Sequence, residues 1–495
     1  MNNYNETPIL KSKIVKDEFY QKNYKEMSAM VDTLNDRLSL AANQGGKKAI
    51  SQHLKRGQLL VRDRIDLLLD EDSPFLELCP LAGWGQEDMT LGGSVVAGIG
   101  LVCGVECLIS GNVPTLFGGS SNEISVLKSS RISTISLENG LPYIQLIQTG
   151  GAKLDQQFRV FHPGGAQFRY LAERTKIGLP TCSIVFGSST AGGAYTPSLT
   201  DYVIMVKNQA QVFLGGPPLV KMATGEVVDA ESLGGADMHS RKSGVSDQLA
   251  LDEYDAIKKA REFVGKLNWT KRGLIPSRHF SSKIEPPLYD LDELLGIVSS
   301  NIKIPFDANE VITRIVDGSR FTSFKSLYGQ NLITGWGYIH GFQVGIVATN
   351  NVIFIQEANK ATQFIRLCNS IEVPAITIMM GASYGAGNYA MCGRAFKPSK
   401  CSVMGAEQLI GVMDLIMREA ASRVGKSINE EEASVRNKLL QNMVEQESDV
   451  YYTTSRLLDD GVIDPRMTRV VIGFCLSVIY NVKVQGGHLG GVSRM

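Results

Sequence analysis

Two glycine-rich turns contain the residues of this sequence that are best suited to chemistry. They lie in IVFGSSTAGGAY (residues 184–195) and IMMGASYGAGNY (residues 378–389). In each, an apolar run predicts a strand that leads through small residues into a helix start, where free backbone N–H groups lie at the positive end of the helix dipole. Such N–H groups can bind a phosphate or stabilise an oxyanion, and glycine leaves room for a carbonyl such as that of a thioester.

Spacing alone does not assign these turns to a familiar site. Neither is followed by the GK[ST] of a P-loop, and neither has a GxGxxG that opens a helix with an acidic residue beyond it. A turn that merely connects a strand to a helix is the structural alternative. The presence of the same glycine turn in both halves favours a function, because two facing oxyanion-type sites suggest transfer between two carbonyl compounds.

The turns belong to an internal duplication of the chain. Four residues of the first turn match four of the second at a constant offset of 194: Gly187, Ser189, Gly193 and Tyr195 match Gly381, Ser383, Gly387 and Tyr389. Upstream, GIGLVCG (residues 98–104) matches GWGYIHG (residues 335–341) at an offset of 237. The sequence therefore predicts two related α/β halves, which we divide in a proline-containing stretch into domains 1–275 and 276–495.

The second half is shorter than the first between equivalent glycines. Gly104 and Gly187 are 83 residues apart, whereas Gly341 and Gly381 are 40 apart, a difference of 43. This exceeds the roughly 30 residues of a βαβ unit. Because the first half has a predicted strand (residues 143–147), a glycine turn and a helix in this interval, we expect the second half to lack them.

Composition excludes several classes of partner and site. Fifty Lys and Arg balance fifty Asp and Glu without a basic block, so neither nucleic acid nor an anionic membrane is expected as a partner. The most apolar window, residues 92–109, is broken by glycines and Glu106, which predicts strands and not a membrane span. Eight cysteines without a CxxC pair and six dispersed histidines predict no metal site. The first 25 residues resemble neither a transit peptide nor a secretory signal, so we expect a cytoplasmic protein.

Few side chains stand out as acids, bases or phosphate ligands. His162 could serve as a base, although a lone histidine is more often packed or on the surface. Lys128 and Arg131 lie three residues apart on a predicted helix and could bind a phosphate. The alternative is that they are exposed helix charges.

At these residues the sequence resembles the biotin-dependent acyl-CoA carboxyltransferases, and it is most similar to the β subunits of methylcrotonyl-CoA carboxylases. The similarity covers nearly the whole chain. Its most specific stretches are RGQLLVRDRIDLLLDEDSPFLEL (residues 56–78), FLGGPPLVKMATGEVVDAESLGGADMHSRKSGVSD (213–247), RIVDGSRFTSFKSLYG (314–329), SYGAGNYAMCGRAF (383–396) and DDGVIDP (459–465).

The resemblance implies two tandem crotonase-like (ClpP/crotonase superfamily) β-β-α superhelix domains and a homo-oligomer, a hexamer built as a trimer of dimers. The first domain would bind acyl-CoA as substrate, with its thioester oxyanion at the amides of Gly192 and Gly193. The second would bind carboxybiotin, carried on a separate protein that works with a biotin carboxylase, at Ala386 and Gly387. No metal and no essential side-chain base are implied.

The remaining candidate site residues follow from the same resemblance. On the acyl-CoA side we expect Gly150, Gly151, Ala152, Thr190, Ala191, Tyr195, Lys128 and Arg131. On the biotin side we expect Tyr384, Gly385, Asn388 and Tyr389.

The chain also departs from the family pattern. Between the equivalents of Cys368 and Val373, family members carry a strand, a loop and a helix that form a wall of the biotin pocket, and this sequence lacks them. A further shortfall follows Phe396, and residues 112–121 lack the lysine and tyrosines of the family. Three functions are therefore weighed: a carboxyltransferase subunit; a repurposed biotin-independent acyl-CoA enzyme such as an acyltransferase, decarboxylase or hydrolase; and a silent assembly subunit.

Overall fold

A computed structural model describes residues 7–273, 284–301, 304–368, 373–381, 391, 406–423 and 429–484 of the 495-residue chain. The first half is built around a mixed sheet. Its strands are β1 (Leu76–Glu77), β2 (Val95–Val102), β3 (Val105–Asn112), β4 (Tyr143–Thr149), β5 (Thr181–Thr190), β6 (Tyr202–Val206), β7 (Gln211–Phe213) and β8 (Gln248–Ala250). They pair in the order β1-β2-β3-β4-β5-β6-β8, with β7 on β5.

An antiparallel hairpin, β2–β3, begins this sheet, and the strands from β3 to β8 then pair in parallel. The central strands are apolar and buried on both faces, as parallel strands between helix layers must be. The helices of this half are α1 (Glu18–Ala42), α2 (Lys47–Lys55), α3 (Val61–Leu68), α4 (Glu123–Glu138), α5 (Gln157–Gly164), α6 (Ala166–Ile177), α7 (Tyr195–Ser198), α8 (Pro217–Thr224), α9 (Ala230–Gly234), α10 (Ala236–Met238) and α11 (Glu253–Lys266).

Two apolar clusters cover the two faces of the sheet. On one face α3 and α11 pack through Ile65 and Val264 among others. On the other face α4 packs through Ile124 and Ile132. The parallel strands and their glycine turns are therefore held from both sides, which makes their carboxyl ends a rigid edge.

The described part of the second half repeats only the beginning of this arrangement. Its strands are β9 (Thr322–Ser323), β10 (Leu332–Ile339) and β11 (Phe342–Thr349), all antiparallel. Its helices are α12 (Leu294–Ile297), α13 (Ala308–Ile315), α14 (Ile355–Leu367), α15 (Ala406–Arg423), α16 (Glu430–Glu447), α17 (Val450–Ser455) and α18 (Thr468–Ile479). Among the described residues, β11 has no parallel neighbour of the kind that β4 provides for β3. The sequence predicts a strand in the apolar run before Gly381, but residues 373–381 form none, since no described strand lies beside them to pair with. The loss of a further strand between residues 368 and 373 stays a prediction.

The duplication extends to individual hydrogen bonds. Lys128 of α4 is fully buried and donates through Nζ to the carbonyl oxygens of Gly92 at 3.1 Å and Val95 at 2.7 Å. Lys360 of α14 is also buried and donates to two carbonyl oxygens at the start of β10, at 3.2 and 2.6 Å. In each half, a buried ammonium thus attaches the long helix that follows the hairpin to the first strand of that hairpin.

A second repeated device closes each hairpin. The carboxylate of Asp70 accepts both backbone N–H groups at the tip of β2–β3, at 2.8 and 2.7 Å, and pairs with Arg261 at 2.8 Å. Asp317 accepts both N–H groups at the tip of β10–β11, at 2.9 and 2.7 Å, and pairs with Arg469 at 2.6 Å. Both tips have two residues with positive φ, as tight hairpin turns require.

The two ends of the chain cross the predicted boundary at residue 275. Near the start, the N–H of Lys13 donates to Glu310 at 2.7 Å, and α1 packs against α12. Near the end, Val478 of α18 joins the apolar cluster of the first half. The division into domains 1–275 and 276–495 stays a prediction, and in the structure each half carries a terminal segment of the other. No helix among the described residues has the length and apolar character to span a membrane.

The hairpin device predicts a pH-dependent contribution to stability. Burial by itself raises the pKa of Asp70, but the N–H groups of Gly104 and Cys103 and the Arg261 guanidinium together hold that pKa below its usual value. The stabilisation is therefore present above the pKa of the unfolded carboxyl and is lost as the pH falls through the lower folded-state pKa. We expect Asp70→Asn to lower the free energy of unfolding by about 1–3 kcal/mol at pH 7 and by less as the pH falls to 4 and below.

Urea unfolding at several pH values measures this difference. Asp66→Asn, at an exposed position on α3, is the matched control and should leave the unfolding midpoint unchanged. A loss of stability that is the same at pH 7 and pH 4 would contradict the account.

Candidate active site

The two glycine turns of the first half meet at one edge of the sheet. Strands β4 and β5 are parallel neighbours, and Thr149 near the end of β4 lies opposite Ser189 near the end of β5. A Cβ added to Gly151 would lie 3.2 Å from the carbonyl oxygen of Thr190 and 3.4 Å from Cβ of Ala191. The turns therefore touch each other, as expected for the carboxyl ends of adjacent parallel strands.

The turn after β5 combines one crowded glycine with one open glycine. A Cβ on Gly193 would lie 2.7 Å from the methyl group of Thr149, so the end of β4 requires glycine there. At Gly192 an added Cβ would meet no atom within 4 Å, so this backbone faces open space. The Ser189 hydroxyl donates to the carbonyl oxygen of Gly193 at 2.9 Å and holds the turn, which continues into α7.

A third segment, the loop at residues 117–121, lines the turn after β4. Ser121 pairs with Ala152, and its N–H donates to the carbonyl oxygen of Gly151 at 2.8 Å. The Thr149 hydroxyl donates to the carbonyl oxygen of Gly119 at 2.8 Å. The sequence analysis did not predict that this loop lines the site. The signal for it in the sequence is the pair Gly118 and Gly119, and both residues have positive φ in the structure.

Among the side chains expected on the acyl-CoA side, two lie beside the turns. Thr190 contacts the end of β4, with its hydroxyl 3.5 Å from the carbonyl oxygen of Thr149. Tyr195, 45 % exposed, packs edge-on against Phe168 of α6 with ring centroids 5.2 Å apart. His162 lies exposed on α5.

The sequence predicts Lys128 and Arg131 as acyl-CoA ligands, with exposed helix charges as the alternative, and the structure excludes that alternative because neither side chain is exposed. Lys128 is enclosed, its ammonium donates to two backbone carbonyls, and burial lowers its pKa. Arg131 makes a two-pronged ion pair with Asp460, with both N···O distances 2.6 Å. The face of α4 that carries them lies against the start of β2 and against Asp460. Both side chains therefore connect α4 to neighbouring segments.

The residues expected on the biotin side lie outside the described residues. This applies to Tyr384, Gly385, Ala386, Gly387, Asn388 and Tyr389. Their roles stay predictions. Within the described ranges, no cluster of three or more His, Cys, Asp or Glu side chains is arranged to hold a metal ion.

Comparison with known proteins bears on the whole chain. The sequence matches the carboxyl transferase domain family over residues 52–374 and 369–486. The two matched stretches meet at residues 369–374, which is where the internal comparison locates the missing segment.

Relatives of this chain match it over almost its full length. It is 45 % identical to a Mycobacterium tuberculosis protein named probable biotin-dependent acyl-coenzyme A carboxylase beta2 subunit, over 95 % of this chain and 96 % of that one. It is 43 % identical to the probable methylcrotonoyl-CoA carboxylase beta chain of Drosophila melanogaster, over 96 % and 93 %.

A solved structure shows the same fold. The β subunit of geranyl-CoA carboxylase from P. aeruginosa superposes with a TM-score of 0.86 at 32 % identity, covering 98 % of this chain and 100 % of that one. Two parallel strands of a crotonase-like sheet, ending in touching glycine turns, agree with this assignment. The chain belongs to the carboxyl transferase domain family, among the β subunits of acyl-CoA carboxylases.

Proposed function

We propose that this protein transfers a carboxyl group from carboxybiotin on a separate carrier protein to the α- or γ-carbon of an acyl-CoA. The observation that supports this proposal is the contact between the turns after β4 and β5 in a chain of this family. The proposal assigns acyl-CoA binding to the first half and includes a biotin carboxylase and biotin carrier as partner subunits in the cytoplasm.

The first half would act on the thioester. When the acyl carbon loses a proton, negative charge develops on the thioester oxygen, and backbone N–H groups at Gly192 and Gly193 can stabilise it. The open space at Gly192 leaves room for the carbonyl, while Thr149 packed against Gly193 keeps the turn in place. Gly150, Gly151 and Ala152 would form the opposite wall, supported by the loop at residues 117–121.

Biotin, when bound through its carrier, would supply the carboxyl group. The described residues of the second half fit this group only in part, because they contain no counterpart of β4 and its turn. We therefore propose that the biotin pocket is open on one side. Losing on the order of 100 Å² of buried apolar area at about 25 cal/mol per Å² weakens binding by about 2.5 kcal/mol, roughly 70-fold.

A carboxylation assay with two forms of the donor tests the proposed function itself. We expect measurable carboxylation of at least one of 3-methylcrotonyl-CoA, geranyl-CoA and propionyl-CoA when carboxylated biotin carrier is the donor. Free carboxybiotin should be a poor donor, because only the tethered group gains from a high effective concentration. Transfer of a radiolabelled carboxyl group from each donor to the acyl-CoA measures both.

Other outcomes identify the alternatives. Consumption of an acyl-CoA without biotin would indicate the repurposed enzyme. Inactivity with all donors, together with binding to a full-length homologous subunit, would indicate the silent subunit. Equal activity with free and tethered carboxybiotin would contradict the open pocket.

Substitution of Gly192 tests the oxyanion site. We expect Gly192→Val to lower turnover by about 10²–10³-fold, because its side chain would project into the open space in front of the turn, where an added Cβ meets no atom within 4 Å. Steady-state carboxylation kinetics measure the loss, and thermal unfolding checks that the fold is kept. Gly46→Val is the matched control, since Gly46 at the start of α2 also has open space and an ordinary φ. Undiminished turnover of the Gly192 variant would refute the assignment.

Exposed apolar side chains indicate that the protein assembles into an oligomer. Several large apolar side chains are exposed near the glycine turns, including Leu154 (80 %), Phe158 (86 %) and Phe161 (78 %). On the second half, Leu415 and Ile416 of α15 are exposed as well. Patches of this kind mark subunit interfaces. We expect a homo-oligomer, a hexamer, in light scattering at micromolar concentration, and a monomer there would contradict the proposal.

A further inference from the structure

The pairing register of strands β4 and β5 shifts before the strands end. From Tyr143 to Ile147 each residue of β4 faces one residue of β5, but one residue of β4, Gln148, then faces three of β5. Those three are Phe186, Gly187 and Ser188. The bulge lies just before the turn after β5, so its shape determines how far that turn extends beyond the turn after β4.

The side chain of Gln148 fills the space against this bulge. A Cβ on Gly187 would lie 2.6 Å from Nε2 of Gln148 and 2.8 Å from its Cδ and Cγ atoms. Glycine at position 187 is therefore needed for the Gln148 side chain to lie across the bulge. The Gln148 amide donates to Gln58 at 3.2 Å and accepts from Arg64 at 2.9 Å, so its orientation is fixed from both ends.

A buried ion pair holds Gln148 and the bulge together. Arg64 of α3, fully buried, donates from Nε and Nη2 to the two carboxylate oxygens of Glu253 at 2.8 and 2.7 Å. Its guanidinium also lies 4.1 Å from the ring centre of Phe186. Glu253 is 3 % exposed and accepts from Gln209 at 2.6 Å.

Gln209 connects the ion pair to the backbone of the bulge. Its Nε2 atom donates both to Glu253 and to the carbonyl oxygen of Phe186, each at 2.6 Å. One network thus contacts β4 through the Gln148 side chain and β5 through both the ring and the carbonyl of Phe186. We call these residues, Arg64, Gln148, Gln209 and Glu253, the bulge network.

The second half shows that the shared architecture does not need this network. The hairpin, the buried lysine and the aspartate device occur in both halves. At the position of α13 that corresponds to Arg64, however, the chain has Val311, which packs in an apolar cluster. The network occurs in the half where two strand ends have to be held beside each other.

From this geometry we infer that the bulge network is a positioning device for the acyl-CoA site. It sets the offset between the turn at Gly150 and Gly151 and the turn at Gly192 and Gly193, and so aims the backbone N–H groups at the thioester oxygen. Its members touch the strands and not the substrate, which makes them positioning residues. The expected effects on kcat and on thioester binding rest on the proposed function. The expected effect on hydrogen exchange rests on the structure alone.

The test uses the full-length protein with Gln148→Ala, Gly187→Ala and both changes together. A misplacement of the turn by about 1 Å costs on the order of 10²-fold in kcat. Each single variant should show that loss. In the double variant the added methyl group enters the space that Gln148 vacated, so the loss should equal that of Gln148→Ala alone. Losses that multiply would overturn the inference.

A binding ratio separates positioning from general damage. Calorimetry with 3-methylcrotonyl-CoA and with free CoA gives the preference for the thioester, which the bulge variants should lose while CoA itself still binds. Gly100→Ala is the matched control, because its Cβ would also be crowded, at 2.4 Å from Leu69, but far from the turns. That variant should lose thermal stability and keep the preference. Bulge variants that keep kcat and the preference would overturn the inference.

Hydrogen exchange provides a readout that needs no activity. In Gln148→Ala, amides in residues 182–195 should exchange faster, while those of the β10–β11 hairpin should be unchanged. Should Gln148→Ala not fold, Gln148→Met, which keeps the side-chain volume and removes both hydrogen bonds, takes its place. Exchange rates equal to those of the wild type would refute the network's role. A wild-type protein that carboxylates no acyl-CoA would refute the proposed function, and faster exchange in the variant would still support the network.

Discussion

The buried ion pair between Arg64 and Glu253 is the interaction on which the geometry of the first half depends. Two charges that are removed from water are tolerated because every polar atom around them has a partner: the carboxylate accepts from the guanidinium, from Gln209 and from the N–H of Leu59. This satisfied network fixes α3, α11 and the ends of β4 and β5 relative to one another. Removal of one partner would leave an uncompensated charge in the core of the sheet.

The consequence for chemistry is that the site can be built from backbone. A thioester oxyanion needs N–H donors that do not move during the reaction, and two glycine turns at adjacent strand ends can supply them. Because Gly193 lies against Thr149 and Gly151 against Ala191, the turns also brace each other.

The duplication explains why the shortened second half can still fold. The buried lysine on the helix after the hairpin and the aspartate bound to the hairpin tip act within a short stretch of chain, so each stabilises its hairpin without the strands that follow. The terminal segments add contacts across the halves, as between Lys13 and Glu310. The predicted loss of a strand, its turn and a helix would therefore affect the proposed biotin pocket more directly than the framework.

The sequence by itself determined the features that local pattern encodes: two α/β halves, the glycine turns after β4 and β5, the deficit of 43 residues in the second half, and the family. Tertiary structure decided the rest. Lys128 and Arg131 could be interpreted as phosphate ligands or as exposed helix charges, because their spacing on a helix does not reveal which face is buried. The bulge network could not be found from spacing either, since Arg64, Gln148 and Glu253 are far apart in the chain and become partners only when α3 and α11 pack on the same face of the sheet.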